Sequence, residues 1–146
     1  MSWTCWNAAE STPPNIEPEE IAATMAKRIL LVEDFKDALS LLVLIVRSFG
    51  YETIEARTGA DAVEKAFFEN PNLIVMNISL PDMTGIDATK AIKGNPSTSG
   101  LPIIAYSGWS TRTWMEQAAN VGIAAYLVKP VTMALMKETI QKYILP

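Results

Sequence analysis

The chain is 146 residues long, 49% of them apolar, and carries a formal net charge of −4 with a pI near 4.8. That length and apolar content fit one packed domain with a short extension and exclude a disordered chain, while the acidic balance argues against nucleic-acid binding, which needs a basic field to neutralise phosphates. With one cysteine, Cys5, and no histidine, a disulfide framework is excluded and zinc sites and Ser-His-Asp triads nearly so, leaving oxygen ligands and magnesium-type chemistry for any metal.

Residues 1–26 differ from the rest. Ser11, Thr12, Pro13, Pro14, Asn15 and Pro18 mark a loop or linker, and Pro18 followed by Glu19 and Glu20 could open a short helix through Ala26. A flexible N-terminal extension is the expectation, with Trp3 and Trp6 as residues that could dock on a partner or on the domain. The start lacks the basic and apolar segments of a signal peptide. No apolar run reaches the ~18–20 residues of a membrane span. The longest, Leu39 to Val46, is interrupted by Ser40 and bounded by Asp37 and Arg47. A cytoplasmic protein with no membrane partner is expected.

A regular pattern begins near residue 27 and runs to 146. Ile29-Leu30-Leu31-Val32 is a continuous apolar run, as in a strand buried on both faces. Leu39, Leu42, Val43, Val46 and Phe49 recur at helical spacing, and Gly50 ends that helix. Tyr51 to Ala56 reads as a second strand. Thr58 followed by Asp61 predicts a capping box for a helix through Phe68. Leu73-Ile74-Val75-Met76 is a third buried strand. Pro81 and Gly85 bracket a turn, and Ile86, Ala88, Ala91 and Ile92 predict a helix ending near Gly94. Asn95 to Gly100 is a loop, and Pro102 to Tyr106 is the fourth strand. Ser110 to Asn120 is a helix closed by Gly122, Ala124 to Val128 is the fifth strand, and Thr132 to Tyr143 is the last helix. Such alternation with short loops implies an α/β fold with a parallel sheet, right-handed crossovers and helices on both faces.

In an open sheet of this type ligands bind outside the carboxyl ends of the strands. Glu33 and Asp34 follow the first strand, Asn77 and Ser79 the third, Ser107 the fourth, and Lys129 with Pro130 the fifth. Taken singly, each has a plain structural explanation: adjacent acids cap a helix, a serine before glycine makes a turn, a lone lysine is solvated. Their convergence on one rim is what points to a site.

The stretches Leu30-Leu-Val-Glu-Asp34, Leu73-Ile-Val-Met-Asn-Ile-Ser-Leu-Pro-Asp-Met-Thr-Gly85, Ile103-Ile-Ala-Tyr-Ser-Gly108 and Tyr126-Leu-Val-Lys-Pro130 together resemble the receiver-domain signature of two-component response regulators. The resemblance implies a flavodoxin-like, doubly wound (βα)5 fold with strand order 2-1-3-4-5. It assigns Glu33 and Asp34 to the acidic pair that holds Mg2+, and Ser79 to the position whose backbone carbonyl is a metal ligand. Ser107 matches the hydroxyl residue that bonds a phosphoryl oxygen, and Lys129 the lysine that pairs with the phosphoryl group. Tyr126 matches the aromatic switch that turns inward when the hydroxyl residue shifts. The Lys129–Pro130 bond is implied to be cis. Phosphoryl transfer from a phosphohistidine needs an in-line nucleophile and neutralisation of the equatorial oxygens, which a metal and a lysine supply.

Asn77 breaks the pattern, because the family has its phosphate-accepting aspartate there. An amide oxygen carries only partial charge and is a poor nucleophile. The metal site is weakened as well: removing one carboxylate at roughly 4 Å from a divalent ion loses several kcal/mol of attraction at an effective dielectric near 20. Asn77 can donate a hydrogen bond to Asp34, so the pocket could close on itself without Mg2+. Two readings stay open: a natural pseudo-receiver that signals through binding or a constant conformation, and a true receiver whose acceptor was deliberately changed from Asp to Asn.

The chain ends at Pro146, soon after the last helix, so action through a protein surface is expected rather than through an attached output domain. The resemblance implies a sensor histidine kinase or phosphotransfer protein as partner, and/or a downstream protein at the face of the fourth helix, fifth strand and fifth helix; a homodimer is also compatible. That face is expected to include Trp109, Trp114, Tyr126, Met133 and Met136, while Met115, Ala118 and Ala119 turn toward the sheet. A phosphorylation-independent scaffold is the alternative function. An enzyme on this fold is disfavoured. A flavin carrier needs a hydroxyl- and glycine-rich phosphate loop where Glu33-Asp34-Phe35 stand, and no G-x-G-x-x-G turn exists.

Overall fold

The computed structural model describes residues 26–146, within which strand and helix alternate five times. The elements are β1 (Arg28–Val32), α1 (Lys36–Ser48), β2 (Glu52–Ala56), α2 (Gly59–Glu69), β3 (Leu73–Met76), α3 (Gly85–Gly94), β4 (Ile103–Ser107), α4 (Arg112–Asn120), β5 (Ala125–Val128) and α5 (Met133–Tyr143). The strands form one parallel sheet in the order β2-β1-β3-β4-β5. The fold class and strand order implied by the resemblance are therefore those observed. Cys5, Trp3, Trp6 and nearly all of the short helix expected from Pro18 lie outside the described residues.

Burial explains the architecture. Ile29 to Val32 and Leu73 to Met76 are wholly buried, as the unbroken apolar runs predict for central parallel strands. Successive strand residues point to opposite faces and feed two cores. Leu30, Val32, Ile74, Met76, Ile103 and Ala105 pack under α2, α3 and α4 through Ala62, Ala66, Ile86, Ala88, Ile92 and Ala118. Ile29, Leu31, Leu73, Val75 and Ile104 pack under α1 and α5 through Leu39, Leu42, Val43, Val46, Met136 and Ile140. Each fully buried Leu or Ile contributes about 1.5–3 kcal/mol, so among the described residues the sheet centre is strongly held.

Several expectations are corrected. Thr58 caps α2 by accepting from Asp61 N at 3.0 Å, but the Asp61 carboxylate pairs with Lys65 at 3.1 Å instead of closing a capping box. The complete box is at Thr84 and Asp87, at the start of α3. Of the α4 residues assigned to the sheet, only Ala118 is buried, and Met115 and Ala119 are exposed. The inward stripe is Trp114, Ala118 and Val121, and Met115 and Ala119 lie one residue, about 100°, further round the helix. Met136 belongs to the core and not to the surface. Ser107 ends β4 rather than following it.

Candidate functional site

The rim at the carboxyl ends of the strands is set by backbone register. Glu33 N bonds Ala56 O at 3.1 Å and Asn77 N bonds Val32 O at 2.9 Å, so both residues continue the sheet pattern just beyond β1 and β3. Glu33 and Asn77 are 1% and 5% exposed, and Ser107 is fully buried. Lys129 N bonds Ser107 O at 2.8 Å, holding the ends of β4 and β5 together, and the Lys129–Pro130 bond is cis.

At the centre stands the Asn77 side chain. Its Nδ2 lies 3.1 Å from Glu33 Oε1, 3.3 Å from Asp34 Oδ1 and 3.0 Å from the Ser79 carbonyl oxygen. An amide has two hydrogens for these three acceptors, so the contacts share them. Asn77 Oδ1 in turn accepts from Ser79 N at 3.3 Å. The reverse amide orientation would set Oδ1 against two carboxylates, so electrostatics favours the one observed. Glu33 Oε2 pairs with Lys129 Nζ at 2.9 Å, which also lies 4.6 Å from the centroid of the Tyr106 ring.

Glu33, Asp34, Asn77, Ser79 and Lys129 are thus joined in one hydrogen-bonded group. Ser107 stands on the neighbouring strand but its hydroxyl points elsewhere, accepting from Trp109 N at 3.0 Å. Tyr126 is partly buried and donates its hydroxyl to the Trp109 carbonyl. The Trp109 and Trp114 rings stack with centroids 4.6 Å apart. The loop after β4 therefore links Ser107 to Tyr126 through the backbone of Trp109.

Two participants were missed in the sequence. Arg57, directly after β2, donates from Nη2 at 2.8 Å and from Nε at 3.2 Å to the Asp34 carbonyl. Asp82 accepts from Gly59 N at 2.8 Å and Ala60 N at 2.9 Å. The bonds from Gly59 and then Ala60 hold its carboxyl below the ordinary 3.8. Arg57 had a readable signal, its place at a strand end on the same rim; Asp82 stood within the Leu73–Gly85 stretch, but nothing in the sequence tied it to the start of α2.

The donors present, two carboxylates and a carbonyl, suit a hard ion such as Mg2+ in kind. All three oxygens, however, face the Asn77 amide nitrogen. Among the described residues no group of three or more Asp, Glu, Cys or His is gathered to hold a metal. The same three oxygens that could face a cation are thus the acceptors of the Asn77 amide.

The family model of the response regulator receiver domain matches residues 29–141. The polar-differentiation response regulator DivK of Brucella ovis is 32% identical over 120 residues, covering 82% of this chain and 98% of that protein. Among solved structures, a CheY-like receiver domain protein of Methanospirillum hungatei superposes with a TM-score of 0.74 at 32% identity, over 80% of this chain and 92% of that one. The receiver domain of a sensor histidine kinase of Pseudomonas aeruginosa, with a magnesium ion coordinated in its active site cleft, gives 0.76 at 29% identity, over 81% and 97%.

Proposed function

The chain belongs to the response regulator receiver domain family, and from that premise we propose that it is a two-component signalling module that works through protein contacts and takes no phosphoryl group at residue 77. One observation carries this reading: the side chain in the acceptor slot is a buried amide whose nitrogen is committed to Glu33, Asp34 and Ser79. Its oxygen is uncharged and already accepts from Ser79 N. The slot thus offers no anion to attack phosphorus, whatever the merits of the cradle around it.

The surrounding roles follow the same reading. Glu33, Asp34 and the Ser79 carbonyl are the residues that would hold Mg2+, with Asn77 a weak fourth. When bound, the ion supplies charge neutralisation for phosphoryl oxygens. Lys129 supplies the opposite positive charge, and Ser107 and Tyr126 form the switch pair. Partners are a sensor histidine kinase or phosphotransfer protein, and a downstream protein, or a second copy, at the face of α4, β5 and α5. Trp109, Val128, Met133 and Leu135 are exposed in those elements and the loop that leads into α4. A scaffold that never meets a kinase is the second reading, and the self-satisfied pocket favours it.

Intact-mass spectrometry after incubation with acetyl phosphate and Mg2+ tests the proposal. The chain with Asn77 is expected to show no adduct, and Asn77→Asp to gain a single phosphoryl group. An adduct on Asn77 itself overturns the proposal. Failure of Asn77→Asp to react leaves only the scaffold reading standing.

A further inference from the structure

We propose that Asp82 is a positioning residue for the Asn77 pocket, acting through the strap Arg57–Ala60. The inference deepens the reading of that pocket as the functional site and rests on it. The loop that carries Ser79 leaves β3 at Asn77 and returns to α3 at Gly85. Several of its bonds are internal or to α3: the Ser79–Thr84 bridge, the exchange between the Asn77 side chain and the Ser79 backbone, and Gly85 N to Ile78 O at 2.7 Å. A Cβ on Gly85 would lie 2.5 Å from Asn77 O, so the two ends of the loop touch at the backbone.

Asp82 ties this loop to α2. Its two carboxylate oxygens accept from Gly59 N and Ala60 N, the first two amides of that helix. The next residue, Met83, lies over Gly59, where a Cβ would come within 2.3 Å of Met83 Cγ. Two residues before Gly59, Arg57 grips the Asp34 carbonyl. One continuous segment therefore holds both sides of the pocket, the acidic loop through Arg57 and the Asn77 loop through Asp82. Its rigidity comes from α2, which is anchored on the sheet by Ala62 and Ala66. The charge of Asp82 also suits a helix N-terminus, whose unpaired N–H groups carry partial positive charge.

The test is amide hydrogen exchange by NMR on the full chain and on its Asp82→Ala and Asp82→Asn variants. Asp82→Ala is expected to speed exchange at Gly59 and Ala60 by roughly tenfold, the size of losing a good cap. It should also speed exchange at the Ser79 amide and the Asn77 side-chain amide, with Val75 and Met76 unchanged. Asp82→Asn keeps one acceptor oxygen and is expected to fall between; if the alanine variant does not fold, it carries the test alone. Faster exchange confined to Gly59 and Ala60 would mean a helix cap and nothing more, and overturns the proposal. In the Asn77→Asp background, adding Asp82→Ala is expected to slow phosphoryl uptake several-fold, and an unchanged rate likewise overturns it. No uptake by Asn77→Asp alone refutes the functional reading, while the exchange data still judge Asp82.

Discussion

Lys129 reaches across the rim from the end of β5 to Glu33 at the end of β1, placing Nζ 2.9 Å from a carboxylate whose side chain is only 2% exposed. The same carboxylate bonds Asn77 Nδ2 through its other oxygen. Glu33 is thereby compensated from two sides, by a full charge and by an amide dipole.

Removing the charge leaves a buried anion with two neutral donors, the Asn77 amide and the Phe35 N–H, both on Oε1. Breaking a fully buried pair costs about 3–5 kcal/mol. Lys129 keeps 29% of its side chain in solvent, so Lys129→Met is expected to destabilise by about 1–3 kcal/mol. Urea unfolding measures it. Glu33→Gln with Lys129→Met should recover part of the loss, because no uncompensated charge remains.

Asn77→Asp exchanges the amide for a third carboxylate. It deletes hydrogen bonds to charged groups, worth about 1.5–3 kcal/mol each at most, and adds like-charge repulsion. The variant is expected to melt below the chain with Asn77 without divalent ions and to rise steadily with added Mg2+. The chain with Asn77 should respond much less to the same titration.

Asp82 gives the fold an acid-sensitive tie. Its carboxyl titrates below 3.8 because Gly59 N and Ala60 N bond the charged form. As pH falls the unfolded chain takes up this proton first, so the contribution is complete above about pH 5 and declines through the lower, folded pKa. The difference in stability between the unsubstituted chain and Asp82→Asn is therefore expected to be constant near neutrality and to shrink in acid. A difference that grows in acid contradicts the assignment.

Trp109 and Trp114 stack on one another but do different work. Trp114 packs against the core under α4, whereas Trp109 is exposed beside Tyr126. Trp114→Ala is expected to cost about 2–4 kcal/mol, and Trp109→Ala about 1 kcal/mol, the value of the ring pair. If this face binds a partner, Trp109→Ala weakens that binding with the fold intact, as titration calorimetry can show.

The sheet was legible because β1 and β3 are continuous apolar runs and Gly50 and Gly122 punctuate the helices they follow, each at positive φ. The rim residues were legible because a parallel sheet puts strand ends together. What stayed hidden depended on side-chain direction. Met115 and Ala119 look inward by composition, but Trp114 and Ala118 already fill the α4 stripe. Thr58 and Asp61 carry the spacing of a capping box, yet Lys65 one turn on draws the carboxylate away. Asp82 is an exposed acid in a loop, and only the fold brings it to Gly59 and Ala60.

The central claim concerns the Asn77 amide itself, so its side-chain NH2 resonances are the most direct probe. They are expected to exchange slowly with solvent and to hold their positions as Mg2+ is raised to levels that saturate Asn77→Asp. Rapid exchange like that of a solvent-exposed amide, or a large shift at low Mg2+, would contradict a pocket closed on its own side chains.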